Sequence, residues 1–268
     1  MDFHRIEWIF LVVFAFLDIF LGWSVTQNQK VYLSTGTTGG NSQIVRDIKQ
    51  DDITVPKLSN KQVSSSYAAS ETSTMLSQNY ERVAKSGDQN VTINTGAYQT
   101  LDARLNRPLR LRKKDVLGQV KSFINNPNNV LFGKNYVYEA DMSNGSRYVF
   151  VQKLAGVRII DDRAMLVLTV NDGSITGYTQ TYIDKLKMMD NNQKIMSARD
   201  AVYTLYRSNE IVNNSRVIWT HLGYTWLLNA KGSTVYVPAW FVGIESKSSK
   251  NVTVKRVNAI TKAVIKTR

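Results

Sequence analysis

The chain has 268 residues, a formal net charge of +13 at pH 7 and no cysteine. The lack of cysteine excludes disulfide bonds, thiolate catalysis and zinc sites with cysteine ligands. Residues 1–30 contain two basic and three acidic side chains, a net charge of −1, so the rest of the chain carries +14. A surface with that charge attracts anionic lipid headgroups or cell-wall polymers.

One long apolar run, IEWIFLVVFAFLDIFLGWSV, occupies residues 6–25. A bilayer core about 30 Å thick requires roughly 20 helical residues, so the run predicts a transmembrane helix over residues 6–26. A cleaved signal peptide is the alternative, but the run exceeds the roughly 7–15 apolar residues of a signal peptide, and no small-x-small cleavage site follows it. The short tail, residues 1–5, favours a cytoplasmic N-terminus and a C-terminal domain outside the cell membrane.

Small and acidic residues share one stripe of this predicted helix. Ala15, Asp18 and Gly22 are three or four residues apart, which places them on one face. Small residues let a second helix approach closely, and Asp18 can form a hydrogen bond across that contact. The stripe therefore predicts a helix–helix contact. The alternative is that the small residues lie there by chance and that Asp18 is tolerated as a protonated acid.

The alternation of apolar and polar residues is less regular between the predicted anchor and residue 130. Residues 27–43 are polar and rich in glycine and threonine, which predicts a flexible tether. A helix is expected around residues 71–80, a strand at 91–94 and an amphipathic helix at 109–124. These elements predict an N-terminal α+β lobe that extends from residue 44 to residue 130.

The sequence RLNRPLRLRKK, residues 104–114, is the one dense group of basic side chains. It predicts a patch that binds an anionic surface or, equally, a solvated linker followed by a helix start. Nucleic acid is not expected as a partner, because the other basic residues are scattered among ordinary strands behind a membrane anchor. We call this group the basic cluster; it consists of Arg104, Arg107, Arg110, Arg112, Lys113 and Lys114.

The pattern from residue 131 to residue 268 predicts a C-terminal α+β lobe. Two hairpins are expected around turns at 143–145 and 171–173, where Asn and Gly lie between alternating apolar residues. Ser197 is a candidate N-cap for a helix that ends near Asn209. Antiparallel sheets with packed helices give the α+β class. Further strands are predicted at residues 217–219, 224–228, 235–241 and 252–258.

The sequence contains no recognisable catalytic, nucleotide-binding or metal-binding motif. His221 is the only histidine outside the N-terminal tail, and no GxSxG nucleophile elbow accompanies it. A structural role for His221 is therefore favoured over a catalytic one. The adjacent acids at 51–52 and 161–162 point to opposite faces in a strand, so Asp161 and Asp162 are interpreted as turn residues. No enzymatic activity, metal or cofactor is predicted.

The order and spacing of several segments resemble the YycI family. The segments are MDFHRI and FLDIFL at residues 1–6 and 16–21, NDGSITGYTQTY at 171–182, VYVPAW at 235–240 and VNAIT at 257–261. None of these motifs is catalytic, so the resemblance rests on their order along the chain. One departure occurs at a turn, where Lys262 replaces the glycine expected after residue 261.

The resemblance implies a single-pass regulator of the WalK (YycG) sensor histidine kinase of low-GC Gram-positive bacteria. It implies an extracytoplasmic α+β domain similar to the C-terminal part of YycH. It also implies association with a YycH-like protein and with the kinase, in part through transmembrane helices, without enzymatic activity. The alternative supported by the charge is an anchored module that binds anionic wall polymer or lipid.

Overall fold

The chain divides into two compact units, Met1–Asp51 and Asp52–Arg268. We describe each unit by itself. A computed structural model describes Leu11, Phe14, Asp18 and residues 38–86, 88–230 and 232–266.

The predicted tail, residues 1–5, and most of the predicted anchor lie outside the described residues. Within the anchor, Leu11, Phe14 and Asp18 are helical. None of the helices built from the described residues is long and apolar enough to cross a membrane.

The first unit contains the helix α1, Thr38–Gln50. The helix begins within the predicted tether, residues 27–43. Side chains on one face of α1 form hydrogen bonds with each other. Gln43 donates one to Asp47 at 2.7 Å and accepts one from Arg46 at 2.6 Å. These links span three and four residues, which is the spacing of neighbours on a helix surface.

The second unit is a mixed α+β structure dominated by antiparallel sheet. Its helices are α2, Met75–Ser86, α3, Val116–Asn125, and α4, Ala198–Arg207. Its strands are β1 (Ser64–Ser65), β2 (Ala68–Glu71), β3 (Gln89–Thr95), β4 (Gln99–Arg110), β5 (Tyr136–Tyr138), β6 (Arg147–Leu154), β7 (Val157–Ile159), β8 (Met165–Asn171), β9 (Ser174–Thr181), β10 (Lys187–Met188), β11 (Gln193–Lys194), β12 (Ser215–Ala230), β13 (Ser233–Ser246), β14 (Val252–Asn258) and β15 (Val264–Ile265).

Thirteen of these strands form one sheet within the described residues. Its order is β10-β2-β13-β12-β7-β6-β8-β9-β4-β3, with β14 beside β13, β15 beside β14 and β5 beside β6. The contact between β12 and β7 is parallel, and the other pairs are antiparallel. Strands β1 and β11 form a separate two-stranded sheet.

Both predicted hairpins are confirmed. Strands β8 and β9 pair up to Asn171 and Ser174, and Asp172 and Gly173 between them have φ angles of 48° and 70°. Positive φ at both central residues is required by the tight hairpin turn that matches the twist of the sheet. Strands β5 and β6 pair in the same antiparallel manner across the Asn144 turn.

The predicted start of α4 is also confirmed. The Ser197 hydroxyl accepts a hydrogen bond from the backbone of Asp200 at 3.2 Å, and the Asp200 carboxylate accepts one from the backbone N–H of Ser197 at 3.4 Å. This reciprocal arrangement is a capping box, which satisfies two N–H groups that have no partner inside the helix.

Several predictions of element boundaries are wrong. The predicted tether, residues 27–43, extends too far, because α1 already begins at Thr38. The helix expected at 109–124 begins only at Val116, because the Asp115 side chain accepts a hydrogen bond from Gly118 and caps the helix there. The strands expected at 217–219 and 224–228 are one continuous strand, β12, with a bulge after Val217.

The largest apolar core lies between the sheet and helices α2 and α3. Leu76 and Leu101 come from the predicted N-terminal lobe, whereas Leu168 and Tyr178 come from the predicted C-terminal lobe. Residues on both sides of the predicted lobe boundary therefore share one core and one sheet. Two smaller clusters contain Tyr224 and Tyr236 in one case and Trp219 and Phe241 in the other.

Candidate interaction surface

The basic cluster lies at the end of β4 and in the connection to α3. All six side chains are exposed. Arg104, Arg107 and Arg110 belong to β4, and Arg112, Lys113 and Lys114 precede the capping residue of α3. The predicted patch is therefore a strand end followed by a loop, and not a helix start.

A bulge in β4 separates Arg104 from Arg110, and Arg107 lies within the bulge. Strand β4 leaves β9 after Arg104 and rejoins it at Leu109, where the pairing register shifts. Extra residues on one strand bend it away from its neighbour. The bulge is tied to Asp88, whose carbonyl accepts from the Asn106 N–H at 2.8 Å and whose carboxylate lies 3.6 Å from Arg107 Nε.

The connection after β4 is held by a glutamine that the sequence reasoning missed. The Gln119 side chain accepts a hydrogen bond from the Arg112 N–H and donates one to the Arg112 carbonyl, both at 2.9 Å. Arg110 Nη1 donates to the carbonyl of Asp172 in the β8–β9 turn at 2.6 Å. The sequence did contain a signal for this contact: Gln119 lies one helical turn after Asp115, the residue that caps α3.

Three cations of the cluster border one hollow of about 640 Å³. Arg110, Arg112 and Lys114 line it together with apolar Leu109 and Phe123. Asp115 lines the hollow too, with its carboxylate accepting a hydrogen bond from the Gly118 N–H. The hollow thus combines three cations and one acid with some apolar surface. An anionic group with an apolar stem fits this combination.

The charges of the basic cluster are mostly unpaired. Arg107 is the one member that forms an ion pair with another described residue, at 3.6 Å from Asp88. Exposed cations without an acidic neighbour keep their attraction for external anions, which is screened by salt. The geometry therefore supports contact with an anionic surface at this end of the sheet.

A second hollow, of about 720 Å³, lies on the outer face of β3, β4, β8 and β9, and Arg104 lines it. Asp102 lines it too, but its two carboxylate oxygens accept hydrogen bonds from Thr179 at 2.7 Å and Asn94 at 2.9 Å. Asp102 is thus engaged within the sheet, so it leaves Arg104 free to meet another acidic group.

The predicted helix-contact residues lie in the predicted anchor. Asp18 is helical and exposed, whereas Ala15 and Gly22 lie outside the described residues. The helix–helix contact stays a prediction.

His221 lies beside an acid and an aromatic ring. Its Nε2 is 2.7 Å from Asp141 Oδ2, and its ring stacks on Trp219 with centroids 5.0 Å apart. In the described part of the chain no hydroxyl group forms a hydrogen bond with His221. The same part contains no group of three or more His, Cys, Asp or Glu residues that is arranged to bind a metal ion.

Glu139 is a buried carboxylate near His221. Burial raises the pKa of Glu139, and the positive charge of Arg158 partly offsets this effect. The Glu139 carboxylate lies 3.0 Å from Arg158 Nη1. The charge of Glu139, and with it the ion pair to Arg158, therefore depends on pH.

Asp161 is a structural residue at a turn, as its sequence position indicated. It is only 5% exposed. Its carboxylate accepts hydrogen bonds from the backbone of Arg163 at 3.1 Å, from the Thr225 hydroxyl at 3.0 Å and from the backbone of Trp226 at 2.8 Å. The Arg163 side chain forms an ion pair with it at 3.1 Å. Asp161 thereby joins the turn before β8 to strand β12.

Two solved structures are similar in backbone structure to parts of this chain. An uncharacterized protein from Eubacterium rectale ATCC 33656 is 10% identical, with 81% of this chain and 92% of that chain covered and a TM-score of 0.48. The YpeB C-terminal domain of Bacillus megaterium is 13% identical, with 74% and 99% covered and a TM-score of 0.36. Among curated proteins, none matches this sequence.

The segments that suggested a family are spread over the described fold. NDGSITGYTQTY forms the β8–β9 turn and strand β9, VYVPAW lies in β13, and VNAIT ends β14. The family model described as "YycI protein" matches residues 34–260, which include the first two of these segments and all but the last residue of VNAIT. The chain belongs to the YycI family.

Proposed function

We propose that the chain is a non-enzymatic accessory regulator of a WalK/YycG-like sensor histidine kinase. It acts through its transmembrane helix and its extracytoplasmic domain, together with a YycH-like partner. The observation that carries the proposal is the match of the family model to residues 34–260, because membership of this family is consistent with regulation of the YycFG pathway. The proposal places the N-terminus in the cytoplasm and the domain from Asp52 onward outside the cell membrane.

The first proposed contact is made by the helix. Asp18 is exposed on its helix, and its sequence spacing from Ala15 and Gly22 places a polar group between two small ones. A hydrogen bond between transmembrane helices contributes about 0.6–2 kcal/mol, which corresponds to roughly a 3- to 30-fold change in association.

Co-purification of the full-length chain in detergent tests this function. The wild-type chain is expected to retain both the kinase and the YycH-like partner. Replacement of the anchor by a foreign transmembrane helix is expected to remove the kinase, and Asp18→Leu is expected to weaken retention. Phe16→Leu is the matched control, because residues two apart do not share a face of a helix and the change keeps the predicted helix apolar. Equal retention by the wild-type chain and the foreign-anchor chain contradicts the proposed helix contact.

A second function is supported by the basic cluster. Arg104, Arg112, Lys113 and Lys114 are exposed and form no ion pair with another described residue. We infer that this surface binds an anionic wall polymer or lipid at the outer face of the membrane. Retention of the full-length chain on a polyglycerol phosphate polymer, with loss of retention as salt rises, is expected. Failure to bind at low salt removes this function.

A further inference from the structure

We propose that β3 is a docking edge, to which an extended segment of the protein partner adds as a further strand of the sheet. This inference rests on the proposed function, since it names where the extracytoplasmic partner binds. Addition of a strand to an exposed sheet edge is a common mode of protein recognition, in which backbone hydrogen bonds give affinity and alternate side chains give specificity.

The first observation is the position of β3 in the sheet. It ends the strand order, and Gln89–Thr95 pairs with residues 99–105 of β4 on one side. On its other side, no described residue forms a hydrogen bond with the backbone of β3. Alternate residues of a strand point both backbone groups to the same side, so roughly half of the residues of β3 present an unpaired N–H and C=O to the outside.

The second observation is that β3 lacks the features that normally protect an edge. Proteins usually make edge strands short, or place lysine, proline or a bulge on them, to prevent pairing with other chains. Strand β3 has seven residues, and its sequence QNVTINT contains no charge and no proline. A long and uncharged edge of this kind is a template for another strand.

Several other edges of the same sheet are short or charged. Strand β5, which pairs with β6, has three residues. Strand β10 has two residues, and Lys187 is one of them. Strand β15 also has two residues, Val264 and Ile265, and covers part of β14. In the uncovered part of β14, Lys255 forms an ion pair with Glu210 at 2.7 Å. The lack of protection at β3 is therefore not a general property of this sheet.

The side chains of β3 define what the added strand must present. Val91 and Ile93 are partly buried against the largest core, whereas Asn90, Thr92 and Asn94 alternate with them and are exposed. An added strand extends both layers only if it carries apolar residues at alternate positions and polar residues between them. The proposed occupant is therefore an extended segment with strictly alternating polarity.

The charge beside the edge adds a second requirement. Arg104 of β4 is the direct neighbour of Asn90 in the register, and it is exposed and has no ion pair with another described residue. The added strand would lie two strand spacings, about 9.6 Å, from β4. The long side chain of Arg104 can extend across Asn90 to meet an acidic residue on the polar face of that strand. The partner segment is thus expected to be acidic on its polar face.

A second copy of this chain fits the edge less well. Two copies would join the same uncharged strand and would bring two chains of net charge +13 together. Both acids near the edge are already engaged: Asp102 accepts hydrogen bonds from Thr179 and Asn94, and Asp88, just before β3, accepts one from Asn106 and lies 3.6 Å from Arg107. A second copy therefore supplies no free acid for Arg104, whereas a partner segment with an acidic side chain does.

Amide hydrogen exchange in the full-length chain, with and without the full-length YycH-like partner in the same detergent, tests the docking edge. Exchange of the β3 amides that point outward is expected to slow by at least about tenfold on binding. Arg104→Glu is expected to weaken partner binding at least about tenfold, because it places like charges together. Arg216→Glu is the matched control, since Arg216 lies near the opposite end of the sheet, 4.0 Å from Glu245.

The outcomes separate this inference from the function on which it rests. Partner binding without slower exchange at β3 overturns the docking edge and leaves the proposed function intact. Slow exchange at β3 in the chain alone that depends on its own concentration also overturns it, because a second copy would then occupy the edge. If the wild-type chain does not bind the partner at all, the proposed function fails and the docking edge fails with it.

Discussion

Two regions of the large sheet differ in how many of their cations form ion pairs and in how well their edge strands are covered. At the end formed by β3 and β4, which we call the open end, the edge strand is long and unprotected, and one member of the basic cluster has an ion pair among the described residues. In the region around β12, β13 and β14, which we call the paired end, β15 covers part of β14 and four cations have acidic partners. These partners form the pairs Lys247–Asp52, Lys255–Glu210, Arg216–Glu245 and Arg163–Asp161.

This difference indicates at which region a partner protein can form the most new contacts. Free backbone groups and free cations at the open end interact with water in the isolated chain, and a partner with matching groups can replace that water. At the paired end the same groups already have partners within the chain, so a further protein would have to break existing contacts. The open end is therefore the expected interaction surface, and the paired end is expected to contribute more to folding.

The largest expected effect concerns folding at the paired end. Asp161→Ala should lower the free energy of unfolding by about 3–5 kcal/mol, because it leaves the largely buried Arg163 without its acid. Asp88→Ala at the open end is the matched change, and the loss of its exposed pair with Arg107 should cost about 0–1 kcal/mol. Guanidinium unfolding of both variants, followed by tryptophan fluorescence, measures the difference. Equal losses of stability would break the comparison between the two ends.

The next effect concerns anion binding at the open end. The triple variant Arg112→Gln, Lys113→Gln and Lys114→Gln should bind polyglycerol phosphate about 100-fold more weakly at low salt, since each cation near an anionic surface contributes about 1 kcal/mol. The control replaces Arg216, Lys247 and Lys255 by glutamine at the paired end. If both triple variants lose binding equally, net charge rather than the basic cluster determines the affinity.

A smaller effect is expected at the turn before β15. Lys262 has a φ angle of 62°, in the left-handed region that disfavours residues with a Cβ atom. Lys262→Gly should therefore raise the free energy of unfolding by about 0.5–1 kcal/mol, because relief of roughly 1–2 kcal/mol of left-handed strain exceeds the entropy that glycine loses on folding. Lys266→Gly is the control. A variant no more stable than the wild-type chain would show that this turn is not strained.

The smallest effect is a dependence of stability on pH at Glu139, which follows β5 and pairs with Arg158 of β7. Because burial raises the pKa of Glu139 above its usual 4.5, the folded chain holds this proton at pH values where the unfolded chain has lost it. Stability contributed by Glu139 is thus present below pH 4.5 and is lost as the pH rises through the raised pKa. Glu139→Gln should flatten the fall in stability over this window, whereas Asp88→Asn should not. An unchanged slope in Glu139→Gln contradicts this account.

Local signals in the sequence predicted the parts of the fold that local chemistry determines. The Asn171–Gly173 turn and the Ser197 cap are stabilised by residues within a few positions of each other, so their types and spacing were informative. The departure at Lys262 was also visible as a missing glycine, and the positive φ angle explains why glycine is expected there.

Long-range pairing explains what the sequence did not show. Strand β4 contains Arg104, Arg107 and Pro108, which suggest a loop, and it is held as a strand by β3 and β9 on its two sides. The role of Asp161 depends on Thr225 and Trp226, more than sixty positions away. The composition of the basic cluster was therefore predictable, but its hollow, its Gln119 brace and the free edge beside it were not.

The central claim is that this chain changes the activity of a sensor kinase through physical contact. The most direct measurement is autophosphorylation of the purified kinase in lipid nanodiscs, with and without the full-length chain and its YycH-like partner. The wild-type chain is expected to shift the rate in either direction, and a chain with a foreign anchor is expected to leave it unchanged. An identical rate in the presence and absence of the wild-type chain would contradict the account.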